Sequence, residues 1–245
     1  MSTAKNKWLK YRYLKKSRSL GPHMPKTRVM SRRALWSLIR KYGHVMVKPV
    51  WGSRGRGIIQ VSSLGGRQYA LHYENTQTTL KGKSSVYRYI RKRTGSAHYM
   101  VQRLIERPTI DGRPFDLRVI IQRKKHSGSW VVTGRVAKVA GKGYVVSNHE
   151  RSKGQLLTVQ TAFRRSTIGH LSPLKLTAEV DKISLKSARK LSKYFPNHRI
   201  YGLDIALDGK GYIWIIETNL FPSLSHFRKM TDQSMYRRIL SYKKG

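Results

Sequence analysis

The sequence predicts an α+β fold in two lobes. Three observations lead there. Strand-like and helix-like patterns are intermixed along the chain without a regular βα alternation, which argues against a doubly wound sheet. The chain has 245 residues, 39% of them hydrophobic, enough for one good core or two small ones. Its two chemically distinctive segments lie far apart: a glycine-rich loop that includes Gly52, and a carboxylate-bearing hairpin containing Asp204.

In chain order, residues 1 to 24 are basic, with Trp, Leu and Tyr scattered among the cations. They read as a solvated, partly disordered arm ending near "GPHMP", with residues 25 to 245 as the folded domain. "SRRALWSLIRKYGH" reads as a helix: Ser31 is the N-cap, Leu35, Leu38, Ile39 and Tyr42 form the apolar stripe, and Gly43 is the stop. "HVMVKPV" reads as a strand and "WGSRGRG" as a loop. "IIQVSS" and "QYALHY" read as two further strands, the latter alternating at Tyr69, Leu71 and Tyr73. "SSVYRYIRKR" reads as a short helix stopped by Gly95. "YMVQRLI", "FDLRVIIQRK" and "SWVVTGRVAKVA" read as long strands of a second sheet. Residues 141 to 175 are rich in Gly, Ser and Thr and read as a long mobile connection. A helix at about 177 to 195 would turn Val180, Ile183, Ala188 and Leu191 inward. "RIYGLDIALD" and "GYIWIIETN" form a hairpin turned by "DGKG", and residues 231 to 243 read as a closing helix.

Composition narrows the chemistry. The chain has 51 Lys and Arg against 11 Asp and Glu, a formal net charge of +40. Such a balance predicts self-repulsion, salt dependence and affinity for polyanions: nucleic acid, anionic surface polymers or nucleotides. With no cysteine there are no disulfides, no thiolate catalysis and no Cys-type zinc site, which fits a cytoplasmic protein. No apolar run approaches the roughly 18 residues of a membrane span, and the N-terminus lacks the continuous apolar stretch of a secretory signal.

Against this scarcity of acids, Asp204, Asp208 and Glu217 cluster beside Asn219. Alternation places Glu217 and Asn219 on one face of the second hairpin strand, and a turn at 208 to 211 brings Asp204 roughly opposite. Three hard oxygen donors carrying two negative charges suit Mg²⁺, which completes its shell with water and nucleotide phosphates. Taken singly, each residue also fits a solvated strand position or a turn. In "VMVKPVWGSRGRGII", Lys48 ends an alternating apolar run, and Gly52, Gly55 and Gly57 let the backbone approach a ligand with its N–H groups. Ser53 lies in the loop, and Arg54 and Arg56 add charge. The loop is neither a P-loop nor a dinucleotide fingerprint, since no GK[ST] opens a helix and a strand follows. An ordinary hairpin loop is the plain alternative.

Together these residues resemble the ATP-grasp superfamily. The match is carried by Lys48 to Gly57, by "YMVQRLIERPTIDGRPFDLRVIIQR", and by Asp204 followed after twelve residues by "ETN". "FDLRV" and the W-V-x-x-G-R-V-A-K strand are similar to the YheC/YheD-type subgroup associated with endospore coats. The resemblance implies two antiparallel-sheet lobes with a nucleotide between them, a lid lobe at about 44 to 101 and a larger lobe at about 102 to 245. It implies ATP and Mg²⁺ as ligands and ATP-dependent ligation of a carboxylate to an amine through an acyl phosphate. Lys48, Gly52, Ser53, Arg54, Gly55 and Gly57 would meet the phosphates. Gln102, Leu104 and Ile105 would meet the adenine, with Glu106 or Asp116 on the ribose or adenine edge. Arg118 and Arg135 would stabilise reacting oxygens, and Asp204, Glu217 and Asn219 would ligate Mg²⁺. His149 and His226 lie near the expected site without a catalytic spacing.

Two departures accompany the resemblance. Many relatives carry a further N-terminal domain where this sequence has only the basic arm. Gly202 stands where some ligases place an Arg. A catalytically silent ATP-binding fold satisfies the same residues. A polyanion binder satisfies the charge and the "KYRYLKKSR" interleaving of aromatics with cations.

Overall fold

The computed structural model describes residues 5–52, 55–141 and 154–244. Its elements run α1 (Lys7–Lys15), β1 (Thr27–Val29), α2 (Arg32–Tyr42), β2 (His44–Pro49), β3 (Ile59–Gly65), β4 (Gln68–Tyr73), β5 (Thr76–Lys81) and α3 (Lys83–Thr94). There follow β6 (Tyr99–Arg103), β7 (Thr109–Ile110), β8 (Arg113–Gln122), β9 (Val131–Val139), β10 (Gln155–Leu157), α4 (Val159–Arg165) and α5 (Pro173–Ser192). The last are β11 (Ile200–Leu207), β12 (Ile213–Asn219), α6 (Ser225–Arg228) and α7 (Ser234–Lys244). The chain divides into two compact units, one spanning Pro25–Leu104, the other taking the residues up to Met24 and most of those from Ile105 onward.

In the Pro25–Leu104 unit, six antiparallel strands lie in the order β1-β6-β2-β3-β4-β5. Alternation along β2 sends Val45 and Val47 into a core with Ile59, Val61, Leu71 and Val101, closed by Leu35, Leu38 and Ile39 of α2 and by Val86 and Ile90 of α3. The opposite face of β2 carries Met46 and Lys48. Helix α2 starts where the Ser31 hydroxyl accepts from the Ala34 N–H and ends at Gly43, whose φ of 74° only glycine adopts without strain. Tyr99–Arg103 belongs to this sheet, between β1 and β2, and not to the second sheet as the sequence led us to expect. Its apolar and polar alternation fits either sheet, and only long-range pairing decides between them.

The other unit is built on a second antiparallel sheet, β10-β9-β8-β11-β12, with β7 paired to β8. Leu117, Val119, Leu203, Ile205 and Ile215 point to one face, where Val180, Ile183, Ala188 and Leu191 of α5 and Phe163 of α4 cover them. On the other face, Ile120 and Val136 pack with Phe227 of α6 and Ile239 of α7. Within the expected 141-to-175 connection, Gln155–Leu157 form an edge strand and Val159–Arg165 a helix; residues 142–153 lie outside the described residues.

The N-terminal segment is not a solvated arm. Helix α1 is capped by Asn6, whose side chain accepts from the Leu9 N–H, and it buries Tyr11 and Leu14 in the core of the second unit. Tyr13 stacks on Tyr194 with ring centroids 3.7 Å apart. Leu20 and Met24 continue the burial, and the His23 ring bonds the Ile213 carbonyl oxygen at 2.8 Å.

Candidate functional site

The β11–β12 hairpin sets Asp204 directly opposite Glu217 and Gly202 opposite Asn219. Cross-strand partners point to one face, so the two carboxylates and the amide converge. A bulge between Asp204 and Ile205 bends the strand at that point. The turn behind it is held by Asp208, whose carboxylate accepts from the Lys210 and Tyr212 N–H groups and from Trp214 Nε1. Asp208 therefore serves the turn and stands apart from the convergent set.

Strand β8 brings Arg118 opposite Asp204. The guanidinium grips both carboxylate oxygens, Nε to Oδ1 at 2.9 Å and Nη2 to Oδ2 at 3.1 Å. Lys138 of β9 reaches the same Oδ1 at 2.9 Å and Asp116 at 2.7 Å, and Arg107 closes the far end with an Asp116 contact of 3.1 Å. Asn219 Nδ2 donates to Asp204 Oδ2 at 3.4 Å. At the other end of the row, Lys7 Nζ of α1 lies 3.4 Å from Glu217 Oε2.

Burial by itself would push the Asp204 carboxyl up, but Arg118 and Lys138 outweigh it and hold the group well below the usual carboxylate range. Burial likewise opposes the charges of Arg118 and Lys138, and the carboxylates beside them reverse that and raise both. Lys10 differs. Burial pushes its ammonium down to about 8, Glu217 pulls it back, and neighbouring Lys7 adds to the depression. The row is thus a largely buried set of charges in which Asp204 is held by Arg118 and Lys138 and Glu217 by Lys7.

Arg135 does not join this set. It sits opposite Val119, on the face that α5 covers, and pairs with Asp181. Strand alternation explains the correction: residues 135 and 138 point to opposite faces, and Lys138 is the cation that reaches Asp204. Asp116 belongs to the ion-pair row through Arg107 and Lys138. Glu106 is exposed. Gly202 has no room for the Arg of some ligases, since a Cβ there would lie 2.5 Å from Pro222 Cβ.

In the Pro25–Leu104 unit, Lys48 is buried and its Nζ donates to Gln102 Oε1 at 2.6 Å. Gln102 Nε2 in turn donates to Thr27 Oγ1 at 3.1 Å. The loop after β2 takes positive φ at Gly55 and Gly57, 69° and 72°. A Cβ at Gly57 would meet the Tyr99 hydroxyl at 2.8 Å, so both backbone and packing require glycine there. Gly52 opens the loop; Ser53, Arg54 and His149 lie outside the described residues. The boundary between the units falls between Leu104 and Ile105, and the Leu104 N–H donates to the His44 carbonyl at 3.2 Å.

A family model described as YheC/D-like ATP-grasp matches residues 2–244. The chain belongs to this family. Among its relatives, the endospore coat-associated proteins YheD and YheC of Bacillus subtilis (strain 168) are each 24% identical to it over 232 residues. Those matches take in 91% and 93% of this chain but only 49% and 62% of the relatives, so the chain spans about half to three-fifths of their length.

Solved structures share the fold of this YheC/D-like protein. D-alanyl-alanine synthetase A from Vibrio cholerae superposes with a TM-score of 0.54 at 12% identity, covering 98% of this chain and 64% of that one. N5-carboxyaminoimidazole synthase from Aspergillus clavatus, in complex with ADP and its aminoimidazole ribonucleotide, gives 0.53 at 13%, covering 98% and 52%. The fold is therefore the ATP-grasp α+β fold. No helix among the described residues is long and apolar enough to cross a membrane.

Sequence reasoning missed Lys138, Arg107, Lys7 and Lys10. For Lys138 the signal was present, because it shares strand parity with the position facing Arg118. For Lys7 and Lys10 it was masked, since a Lys every three residues in a basic segment looks solvated.

Proposed function

We propose that this YheC/D-like ATP-grasp protein binds Mg²⁺-ATP and uses it to join a carboxylate to an amine through an acyl phosphate. The observation that supports the reading is the convergence of Asp204, Glu217 and Asn219 within one row of buried cations. Among the described residues no group of three or more His, Asp or Glu forms a metal site, so the donor set is two carboxylates and an amide. Such oxygen donors fit a hard divalent cation that fills its shell with water and phosphate oxygens. Asp204, Glu217 and Asn219 would hold Mg²⁺, which when bound would neutralise phosphate charge.

In the proposed reaction a substrate carboxylate oxygen attacks the γ-phosphorus, the bond to the bridging oxygen breaks, and ADP leaves with that electron pair. An amine nitrogen then attacks the acyl carbon, phosphate departs with the C–O pair, and nitrogen loses a proton. No covalent intermediate with a side chain is needed; the chain's contribution is placement and charge. Arg118 and Lys138, locked on Asp204, would stabilise charge on the transferring oxygens. In the Pro25–Leu104 unit, Lys48 is the proposed phosphate lysine, oriented by Gln102. Gly52, Gly55 and Gly57 of the following loop are the proposed backbone N–H donors to phosphate, and Ser53 and Arg54, which lie outside the described residues, are proposed for the same ligand. Gln102, Leu104, Ile105 and Glu106 are the proposed nucleoside-side residues. Kinship with coat-associated YheC and YheD supports a spore-associated setting.

The test is Glu217→Gln, which leaves the Arg118–Asp204 pair intact, followed by the double variant with Asp204→Asn. Both should keep native circular dichroism and lose the chelator-sensitive thermal stabilisation that Mg²⁺-ATP gives the wild type. Undiminished Mg²⁺-ATP stabilisation in the double variant would overturn the assignment.

A further inference from the structure

Helices α2 and α3 cover one core in the Pro25–Leu104 unit, and nothing in the proposed reaction uses their outer surfaces. The helices have 11 and 12 residues; nine of these are Lys or Arg and none is Asp or Glu. All nine cations are exposed. By contrast α5, with 20 residues, mixes five cations with Glu179 and Asp181. A helix that carries one sign of charge has no i to i+4 ion pairs to support it, and neighbours such as Arg88, Arg91 and Lys92 repel one another. The arrangement costs the free protein and suits a partner that brings the opposite charge.

The two helices present one surface rather than two. Arg32 Nη2 of α2 donates to the Ser84 hydroxyl of α3 at 3.1 Å, and its guanidinium lies 5.8 Å from the centroid of Tyr87. In the other direction, Lys83 Nζ of α3 lies 5.7 Å from the centroid of Trp36 in α2. Farther along α3, Arg93 stacks on Tyr89 at 3.4 Å and lies 5.4 Å from Tyr73. A ring fixes where a cation stands and leaves its charge in place. The face is therefore an array of cations set out on packed helices.

Two features choose the partner. Six of the nine cations are Arg, whose forked donors match phosphate oxygens better than an ammonium does. Tyr87 and Tyr89 are already stacked under guanidinium groups, whereas a single-strand binder keeps such rings for unstacked bases. We propose that the α2–α3 face binds double-stranded nucleic acid through its phosphate backbone, without reading its sequence. The inference does not rest on the ligation proposed above.

The test follows a fluorescently labelled duplex of mixed sequence by anisotropy as the full chain is added, without nucleotide and between about 50 and 200 mM salt. Arg33→Gln, Arg88→Gln and Arg91→Gln are combined, because Gln keeps helix propensity and these three arginines are not the ring-stacked ones. Circular dichroism should stay native. The triple variant should weaken binding by about tenfold or more at the low-salt end and shallow the salt slope by about two to three. A control of equal charge loss, Lys175→Gln with Arg189→Gln and Lys193→Gln on and just after α5, should leave the slope within about one of the wild type. If the triple variant fails to fold, Arg88→Gln alone decides, with a slope shallower by about one.

Equal slope changes in the two triple variants would overturn the proposal, since the duplex would then answer to net charge alone. So would a wild type that does not bind the duplex. Competition decides the partner: an unlabelled single strand of the same phosphate count, or poly-L-glutamate, that displaces the labelled duplex more readily than unlabelled duplex does would overturn the choice of a duplex backbone.

Discussion

Residues 25–104 carry 17 Lys and Arg against a single carboxylate, Glu74, whereas the other ten carboxylates of the chain lie outside that stretch. The two units differ in what they can add to the holding of cations by rings. In the Pro25–Leu104 unit cations lie over rings: the Arg93 guanidinium is 3.4 Å from the centroid of Tyr89 and 5.4 Å from that of Tyr73, Arg103 is 4.9 Å from Tyr42, and Arg32 is 5.8 Å from Tyr87. The other unit also holds cations over rings, such as Arg123 at 5.1 Å from the Trp130 centroid, but it alone has a buried row in which Arg107, Arg118 and Lys138 share Asp116 and Asp204, with Arg135 paired separately to Asp181. A ring orients a cation without cancelling its charge, while a buried carboxylate cancels it and makes each partner depend on the other. The net charge of +40 is thus unevenly committed. Both parts stay strongly positive, by 16 charges in residues 25–104 and by 24 outside them, and only the cations around Asp204 are committed to internal order.

The strongest test of that contrast is Asp204→Ala. It strips Arg118 and Lys138 of their shared partner in a buried setting, and removing one member of such a set costs about 3–5 kcal/mol. Urea unfolding should show the loss as a lower midpoint with an unchanged slope. A cost below about 1 kcal/mol would mean that the row behaves like a solvated surface pair, and the contrast would fail.

Much of this architecture was legible in the sequence because local periodicity decides it. Ser31, the Leu35–Leu38–Ile39 stripe and Gly43 announce α2, and Val180, Ile183, Ala188 and Leu191 announce the buried face of α5. The Asp204–Glu217 juxtaposition follows from one turn and strand alternation. What escaped was set by long-range partners. Tyr99–Arg103 could have paired in either sheet. Arg135 and Lys138 were separable only by their parity against β8. The α1 stripe of Tyr11 and Leu14 was hidden because Lys7 and Lys10 on the same helix are buried too, Lys7 against a glutamate about two hundred residues away.

Helix α1 supplies the next test, since its docking is apolar while its cargo is charged. Leu14 is fully buried, so Leu14→Ala should cost about 2–5 kcal/mol through lost burial and the cavity left behind. Urea unfolding should show the loss as a lower midpoint. A cost below about 1 kcal/mol would mean that the apolar face of α1 does not hold the helix in place.

Tyrosines sharpen the comparison through pH. Tyr201, in the carboxylate-bearing unit, is buried and donates to the Phe195 carbonyl at 3.1 Å. Burial pushes its hydroxyl up to about 12, with Arg123 opposing. A folded-state value above the unfolded one means that the neutral hydroxyl stabilises fully below the unfolded value of about 10 and loses that contribution as pH rises through about 12. Stability should therefore fall by about 2 kcal/mol across that interval, and Tyr201→Phe should flatten the fall. An identical alkaline slope in Tyr201→Phe would assign the loss to other groups.

The smallest effect belongs to Arg93. Its stack over Tyr89 and Tyr73 is an exposed cation–π contact, and Arg93→Ala should cost about 0.5–1 kcal/mol. The informative quantity is what salt does to each unit's cations. If ring-held cations keep their charge free, Arg93→Ala should lower the salt-dependent affinity of the protein for a polyanion such as duplex DNA and shallow its salt slope by about one counter-ion per lost contact. Asp204→Asn, which changes a cation cluster already turned inward, should leave that slope unaltered. Equal slopes for the wild type and the Arg93 variant would show that the stacked guanidinium is withdrawn from polyanions as fully as Arg118 is, and the two ways of holding charge would then have the same outward consequence.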